Sequence, residues 1–198
     1  MMPARAPSRR AWRVLAASVA VAGALACGGC VTQPVPQYQA SIANQMALAQ
    51  MPADVRFRVT TGTDPANIQT QVRSMHIVPP GKGSWSDYLN QAMRTELKTA
   101  GHDGADAPAT LDASLTRLSV LDGQAELAGR FVIRRDGTVV YDKALQARAQ
   151  WDTHFIGVLA ATDGFDHSSA IFQSLLHALF DDPDFVAATR QLANRAPS

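Results

Sequence analysis

Ala125-Glu-Leu-Ala-Gly-Arg-Phe-Val-Ile-Arg-Arg-Asp-Gly-Thr-Val-Val-Tyr-Asp-Lys-Ala-Leu-Gln-Ala-Arg-Ala-Gln-Trp151 carries two rows of apolar residues. Ala125, Leu127, Gly129, Phe131 and Ile133 share one parity. Val139, Tyr141, Leu145, Ala147, Ala149 and Trp151 form a second odd-numbered row. Alternation of this kind marks half-buried strands. Asp136-Gly137 separates the two rows. A two-residue turn there would set Phe131 opposite Asp142. A three-residue loop, Arg135-Asp-Gly137, pairs Ile133 with Val139 and Phe131 with Tyr141, and keeps both apolar rows on one face. The pattern therefore predicts the longer loop, with Gly137 in the left-handed position. Arg130, Arg134, Lys143 and Arg148 are expected on the solvated face.

Working back along the chain, Ala109-Thr-Leu-Asp-Ala-Ser-Leu115 alternates with Leu111, Ala113 and Leu115 inward. Leu118 and Val120 then take over, which predicts a bulge near Thr116-Arg117. Ser84 to Ala100 reads as a helix. Ser84 and Asp87 form a capping box, and Trp85, Tyr88, Leu89, Ala92, Met93 and Leu97 recur at three and four. Gly101 follows where a left-handed residue is wanted. Val55-Arg-Phe-Arg-Val59 and Val72 to Val78 are expected strands. After the hairpin, Phe155-Ile-Gly-Val-Leu-Ala-Ala161 is apolar without a clear period, either a buried crossing, which is the favoured reading because large exposed apolar patches are unusual on a monomer, or an exposed patch; Asp163-Gly-Phe-Asp166 reads as a turn. Helices are expected from Ser168 or Ser169 to Phe180, and after Asp182-Pro183.

The front of the chain is of a different kind. Arg9, Arg10 and Arg13 precede an apolar run, Val14 to Ala26, and then Cys27-Gly-Gly-Cys30. A basic front, an apolar run and small residues form an export signal. The run is short for a membrane span, which needs about 20 apolar residues. Ala24-Leu25-Ala26 also fits an ordinary secretory cleavage site. The cysteine after it looks like a bacterial lipoprotein signal, which implies cleavage before Cys27 and acylation of its thiol. Such signals usually carry Leu three residues before the cysteine. Ala24 stands there for Cys27 and Cys27 stands there for Cys30, so Cys27 is the first choice and Cys30 the second. Asp directly after the cysteine would mark inner-membrane retention in such lipoproteins. Gly28 implies the outer membrane, facing the periplasm.

Four arginines (Arg5, Arg9, Arg10 and Arg13) belong to this signal. That leaves 14 of the 18 basic residues against 17 acidic ones, a net charge of −3 for the rest. No basic patch is visible, which argues against nucleic acid as partner. No cysteine follows Cys30, so the domain holds no disulfide. Hydrophobic residues at 46% suffice for one core. The expected layout is a signal at 1–26, a lipidated, partly helical tether at 27–54, one α+β domain at 55–190 and a frayed tail at 191–198.

Few residues are spaced for chemistry. Gly81-Lys-Gly-Ser84 lacks the spacing of a phosphate loop, so no nucleotide is expected. His76, His102, His154, His167 and His177 include no zinc-spaced pair, and neither metal nor cofactor is expected. No G-x-S-x-G elbow is present. The chain is not expected to be an enzyme.

The order of a strand, the helix Trp85 to Gly101 ending Glu-Leu-x-x-Ala-Gly, Leu111 to Leu121, the arginine-flanked hairpin, Phe155-Ile-Gly157 and Leu176 to Phe185 resembles an uncharacterised proteobacterial family of outer-membrane lipoproteins. More loosely, it is similar to lipoproteins with a domain like the N-terminal domain of TolB. The resemblance covers about Val55 to Phe185. It implies a two-layer α+β fold: a mostly antiparallel sheet, a long hairpin in the C-terminal half and two main helices on one face. It also implies a binding or assembly accessory to other envelope proteins, held to the membrane by its lipid. Phe155, Ile156, Val158 and Leu159 are the candidate partner-binding residues. One alternative is an auxiliary lipoprotein of a lipid-transport system, binding an apolar ligand or a transporter subunit. The other is an enzyme centred on His154 or His167.

Overall fold

The computed structural model describes residues 31–153 and 157–194, and the side chains among them other than those of 157–167. The strands are β1 (Val31–Pro34), β2 (Phe57–Thr61), β3 (Ile68–Gln69), β4 (Gln71–Val72), β5 (Met75–Val78), β6 (Ala109–Leu121), β7 (Gln124–Arg135) and β8 (Thr138–Gln150). The helices are α1 (Ile42–Leu48), α2 (Trp85–Thr99), α3 (Gly157–Phe180) and α4 (Pro183–Ala193). The main sheet runs β2-β6-β7-β8, with β3 also pairing β6; a small sheet runs β1-β5-β4. The β6-β7-β8 ladders are antiparallel, whereas β2 and β3 pair β6 in parallel. The class is α+β, as the sequence predicts.

One face of the main sheet carries Leu111, Ala113, Leu115, Leu127, Phe131, Ile133 and Tyr141, all buried. They pack in one core with Leu89, Met93 and Leu97 of α2, Phe172, Leu175, Leu176 and Leu179 of α3, and Phe185 of α4. The other face is polar. The predicted bulge sits between Leu115 and Arg117, and it keeps Leu118 and Val120 on the buried side.

The hairpin loop is shorter than the alternation predicts. Arg135 pairs with Thr138, so the loop is only Asp136-Gly137, and both residues have positive φ, 52° and 75°. That is the two-residue turn whose twist suits a hairpin. The register then shifts between Ile133 and Arg134, and Ile133 pairs with Tyr141 and Phe131 with Lys143. An irregularity at Val139-Val140 thus restores the parity that the longer loop was invoked to preserve. Val139 ends up outside, 47% exposed. A Cβ on Gly137 would meet no atom within 4 Å, so a side chain there costs conformational energy alone. Gly137→Val is expected to destabilise the domain by about 1–2 kcal/mol through left-handed strain. An unchanged denaturation midpoint would contradict the observed turn.

Three other expectations change. The strand foreseen over Val72 to Val78 is two strands, β4 and β5, turning at Arg73 (φ 53°). Gly157 to Asp166 is helical, so the turn foreseen at Asp163-Gly-Phe-Asp166 is part of α3. Helix propensity is a weak prior against a 24-residue helix that packs its second half on the sheet. The segment 31–54, foreseen as a tether, belongs to the folded domain. β1 pairs β5 in parallel, and Val35, Tyr38, Leu48 and Met51 are buried in the common core.

Candidate functional site

α2 is fixed at both ends. Ser84 Oγ accepts from Asp87 N–H at 3.0 Å, and Asp87 accepts from Ser84 N–H at 2.9 Å, the foreseen capping box. Asp64 accepts from Trp85 and Ser86 N–H at 3.1 and 2.6 Å. Toward its other end, Glu96 is wholly buried on the apolar side. The Tyr38 hydroxyl (2.6 Å), Ser41 N–H (2.9 Å) and Asn44 Nδ2 (2.8 Å) all donate to its Oε1. Gln45 Nε2 donates to its Oε2 at 2.5 Å. A single carboxyl group therefore gathers four donors from residues 38–45 and ties the N-terminal strap to the domain. Sequence reading missed this site. The signal was there: Glu96 stands four residues after Ala92 on the helix's buried row.

A second polar cluster joins the hairpin to α4. Asp182 accepts from the Asp184 and Phe185 N–H groups, capping the helix, and its other oxygen accepts from Lys143 Nζ at 2.6 Å. Asp184 accepts from the same ammonium at 2.9 Å. Lys143 was expected on the solvated face; pairing with Phe131 puts it on the helix side instead. Hydrogen bonds from Lys143 to Asp182 and then Asp184 push its pKa up. Two carboxylates on one ammonium favour its protonated form.

The open sheet face carries a ladder of exposed ion pairs. Arg134 meets Asp112 at 2.9 Å, Arg130 grips Asp142 through two nitrogens, and Arg117 and Arg148 share Glu126. Thr60 donates to Asp112. The Arg130 hydrogen bond holds the Asp142 carboxyl below its usual range. This is the solvated face that the sequence predicts, with each of the three carboxylates paired to arginine across the strands.

A cleft of about 630 Å³ opens at one end of the sheet, lined in part by Asp54, Arg56, Asp106, Arg135 and Leu192. Arg135 donates to the Leu192 carbonyl at 2.8 Å, which commits it to the end of α4. His102 lies nearby in the chain but is buried, with its Nδ1 2.8 Å from the Val55 carbonyl. Among the described residues no group of three or more His, Cys, Asp or Glu side chains is placed to hold a metal ion. Likewise, no helix among them is long and apolar enough to cross a membrane.

The structure leaves most of the foreseen site residues aside. Cys27, Cys30, His154, Phe155 and Ile156 lie outside the described residues. Val158 and Leu159 fall in the first turn of α3, so the premise that no regular element claims this run does not hold for them.

The three tyrosines of the chain, Tyr38, Tyr88 and Tyr141, are all buried. Burial is the main cause that pushes each phenol up, Tyr88 to about 12. The Glu96 acceptor adds to it at Tyr38, and the Asp182 charge at Tyr141. A raised folded pKa favours the neutral phenol. The stability it contributes is complete below about pH 10 and is lost as pH climbs above that. Phenolate absorbance is therefore expected to stay absent up to about pH 11 while the circular dichroism remains native, and then to appear together with unfolding. A tyrosine that titrates near pH 10 in the folded domain would contradict this packing.

With strap, sheet and clefts in place, the chain falls into the class of two-layer α+β domains with one open sheet face. It is similar in structure to the protein XCC0632 from Xanthomonas campestris, of family DUF330, with TM-score 0.50 and 11% sequence identity. That similarity covers 83% of this chain and 98% of the other. A candidate lipoprotein from Caulobacter crescentus CB15 matches with TM-score 0.38 and 12% identity, over 77% of this chain and 97% of that one. At 11% identity the likeness to XCC0632 is one of fold. No protein-family model matches the sequence, and no curated protein matches it.

Proposed function

We propose that this is an envelope lipoprotein, acylated at Cys27, that works by binding another envelope protein and not by catalysis. The observation that carries the reading is the junction itself. A basic, then apolar, then small-residue run ends at Cys27, and the first strand of the folded domain begins at Val31. Gly28 after the cysteine supports residence at the outer membrane, and the domain then faces the periplasm. Binding is favoured because the buried ionisable groups among the described residues already serve the fold. Glu96 holds the strap, Asp182 caps α4 and His102 meets Val55 O.

The partner surface we propose includes Phe155, Ile156, Val158 and Leu159. Capture from cross-linked envelopes with the tagged protein tests it. The wild type is expected to recover a defined envelope protein. Ile156→Asp with Leu159→Asp is expected to recover none while keeping its melting temperature. Collapse of the double variant would instead assign these side chains to the core, since an unpaired buried charge is severely destabilising. A folded double variant that still captures the same protein would place the contact elsewhere.

A further inference from the structure

The strap that leads from Cys27 into the core has a composition of its own. From Gly28 to Ala53 no residue is charged. The described large apolar side chains that remain exposed are Val31 (54%), Ile42 (82%), Met46 (69%) and Val139. Three of these four lie within the strap. Its course is defined by its partners. The Pro36 carbonyl accepts from the Tyr88 hydroxyl, Gln37 meets Gln91, and Tyr38 reaches Glu96. The strap therefore runs along α2 from its first turn to its last, and then turns into α1.

In α1 the buried side is Asn44, Ala47 and Leu48. Ile42 and Met46 stand four residues apart, so they share a helix face, and that face is the exposed one. Gln39, whose carbonyl accepts from Gln173, and Gln45, which donates to Glu96, are neutral amides of the same stretch. Exposed Ile and Met one turn apart in an uncharged stretch of chain are costly to leave in water.

The chain between Cys27 and the start of the strap is short. Four residues from Cys27 to Val31 span at most about 14 Å when fully extended. A bilayer that holds the lipid on Cys27 is thus within that distance of Val31, where the strap begins.

We propose that the strap lies on the bilayer surface and inserts Ile42 and Met46 into it, as a second contact beside the acyl chains. The inference rests on the acylation of Cys27 proposed above. Acyl chains and a peripheral apolar contact add in membrane affinity, and the pair fixes an orientation that acyl chains alone leave free. The neutral strap then meets the lipid, and the arginine-bearing sheet face is left for water or a partner.

The test uses the full-length, lipidated protein in vesicles of phosphatidylethanolamine and phosphatidylglycerol. In a Cys30→Ser background, Met46→Cys and Ile42→Cys are each labelled with a polarity-sensitive fluorophore after lipidation. Gln146→Cys, on the open sheet face, serves as the reference. At positions 46 and 42 a blue-shifted emission and quenching by spin-labelled lipid are expected, while position 146 keeps a water-like emission and is not quenched. Water-like emission at both strap positions in protein whose mass shows the acyl chains would overturn the membrane contact and leave acylation standing. Protein from the same preparation without acyl mass would overturn both.

Discussion

Glu96→Ala is expected to lower the stability of the domain by about 3–5 kcal/mol, because it leaves four donors without their acceptor in a buried site. Tyr38, Ser41, Asn44 and Gln45 all point at that carboxyl group. Domains of this size are stable by only roughly 5–15 kcal/mol, so the loss is a large share of the total. The damage should be local first. Amide exchange in residues 38–48 is expected to rise before that of β6 to β8, because the strap depends on Glu96 while the long ladders do not. Tyr38→Phe removes a single donor and is expected to cost about 1 kcal/mol. If Glu96→Ala unfolds at the wild-type midpoint, the carboxyl does not organise the strap.

Cys27→Ser is expected to have the largest effect on location. Metabolic labelling with an alkynyl fatty acid should mark the wild type and Cys30→Ser, and fail for Cys27→Ser. The serine hydroxyl cannot take the thioether-linked lipid. Stable anchoring needs more than one acyl chain, so the variant processed at Ala24-Leu25-Ala26 is expected to leave the membrane fraction. Its folded domain should be unharmed, because the core begins at Val35. Label that persists in Cys27→Ser and disappears in Cys30→Ser would move the site by three residues.

The sequence disclosed the parts of this fold in which burial repeats with a clean period. The odd row of β7, the phase flip at Thr116 and the capped α2 were legible because each is written in side-chain alternation or in a two-residue cap. The hairpin loop was not. Val139 and Val140 are equally apolar, so periodicity alone could not show that the irregularity lies there. Asp136-Gly137 is nonetheless the pair that a two-residue turn prefers. The first half of α3 was hidden by Gly157 and by Asp163-Gly164, which local propensity reads as breakers. The strap was hidden for another reason. Val35, Tyr38, Leu48 and Met51 follow no period, because they insert into a core built by other elements. Glu96 was passed over because an acid on a helix is ordinarily a surface residue. Only its four-residue spacing from Ala92 marked it. The proposed lipid site rests on residue types at one junction, and the proposed partner surface on an apolar run whose helical part the periodicity did not reveal.

We propose that this domain is carried at the membrane by a lipid on Cys27. The most direct measurement is the mass of the amino-terminal peptide of the protein purified from envelopes. The expected result is a chain that begins at Cys27, with the mass of a diacylglyceryl group on the thiol and an acyl chain on the amine. A chain that begins at Cys27 with a free thiol, or one that retains Arg9 to Ala26, would contradict it.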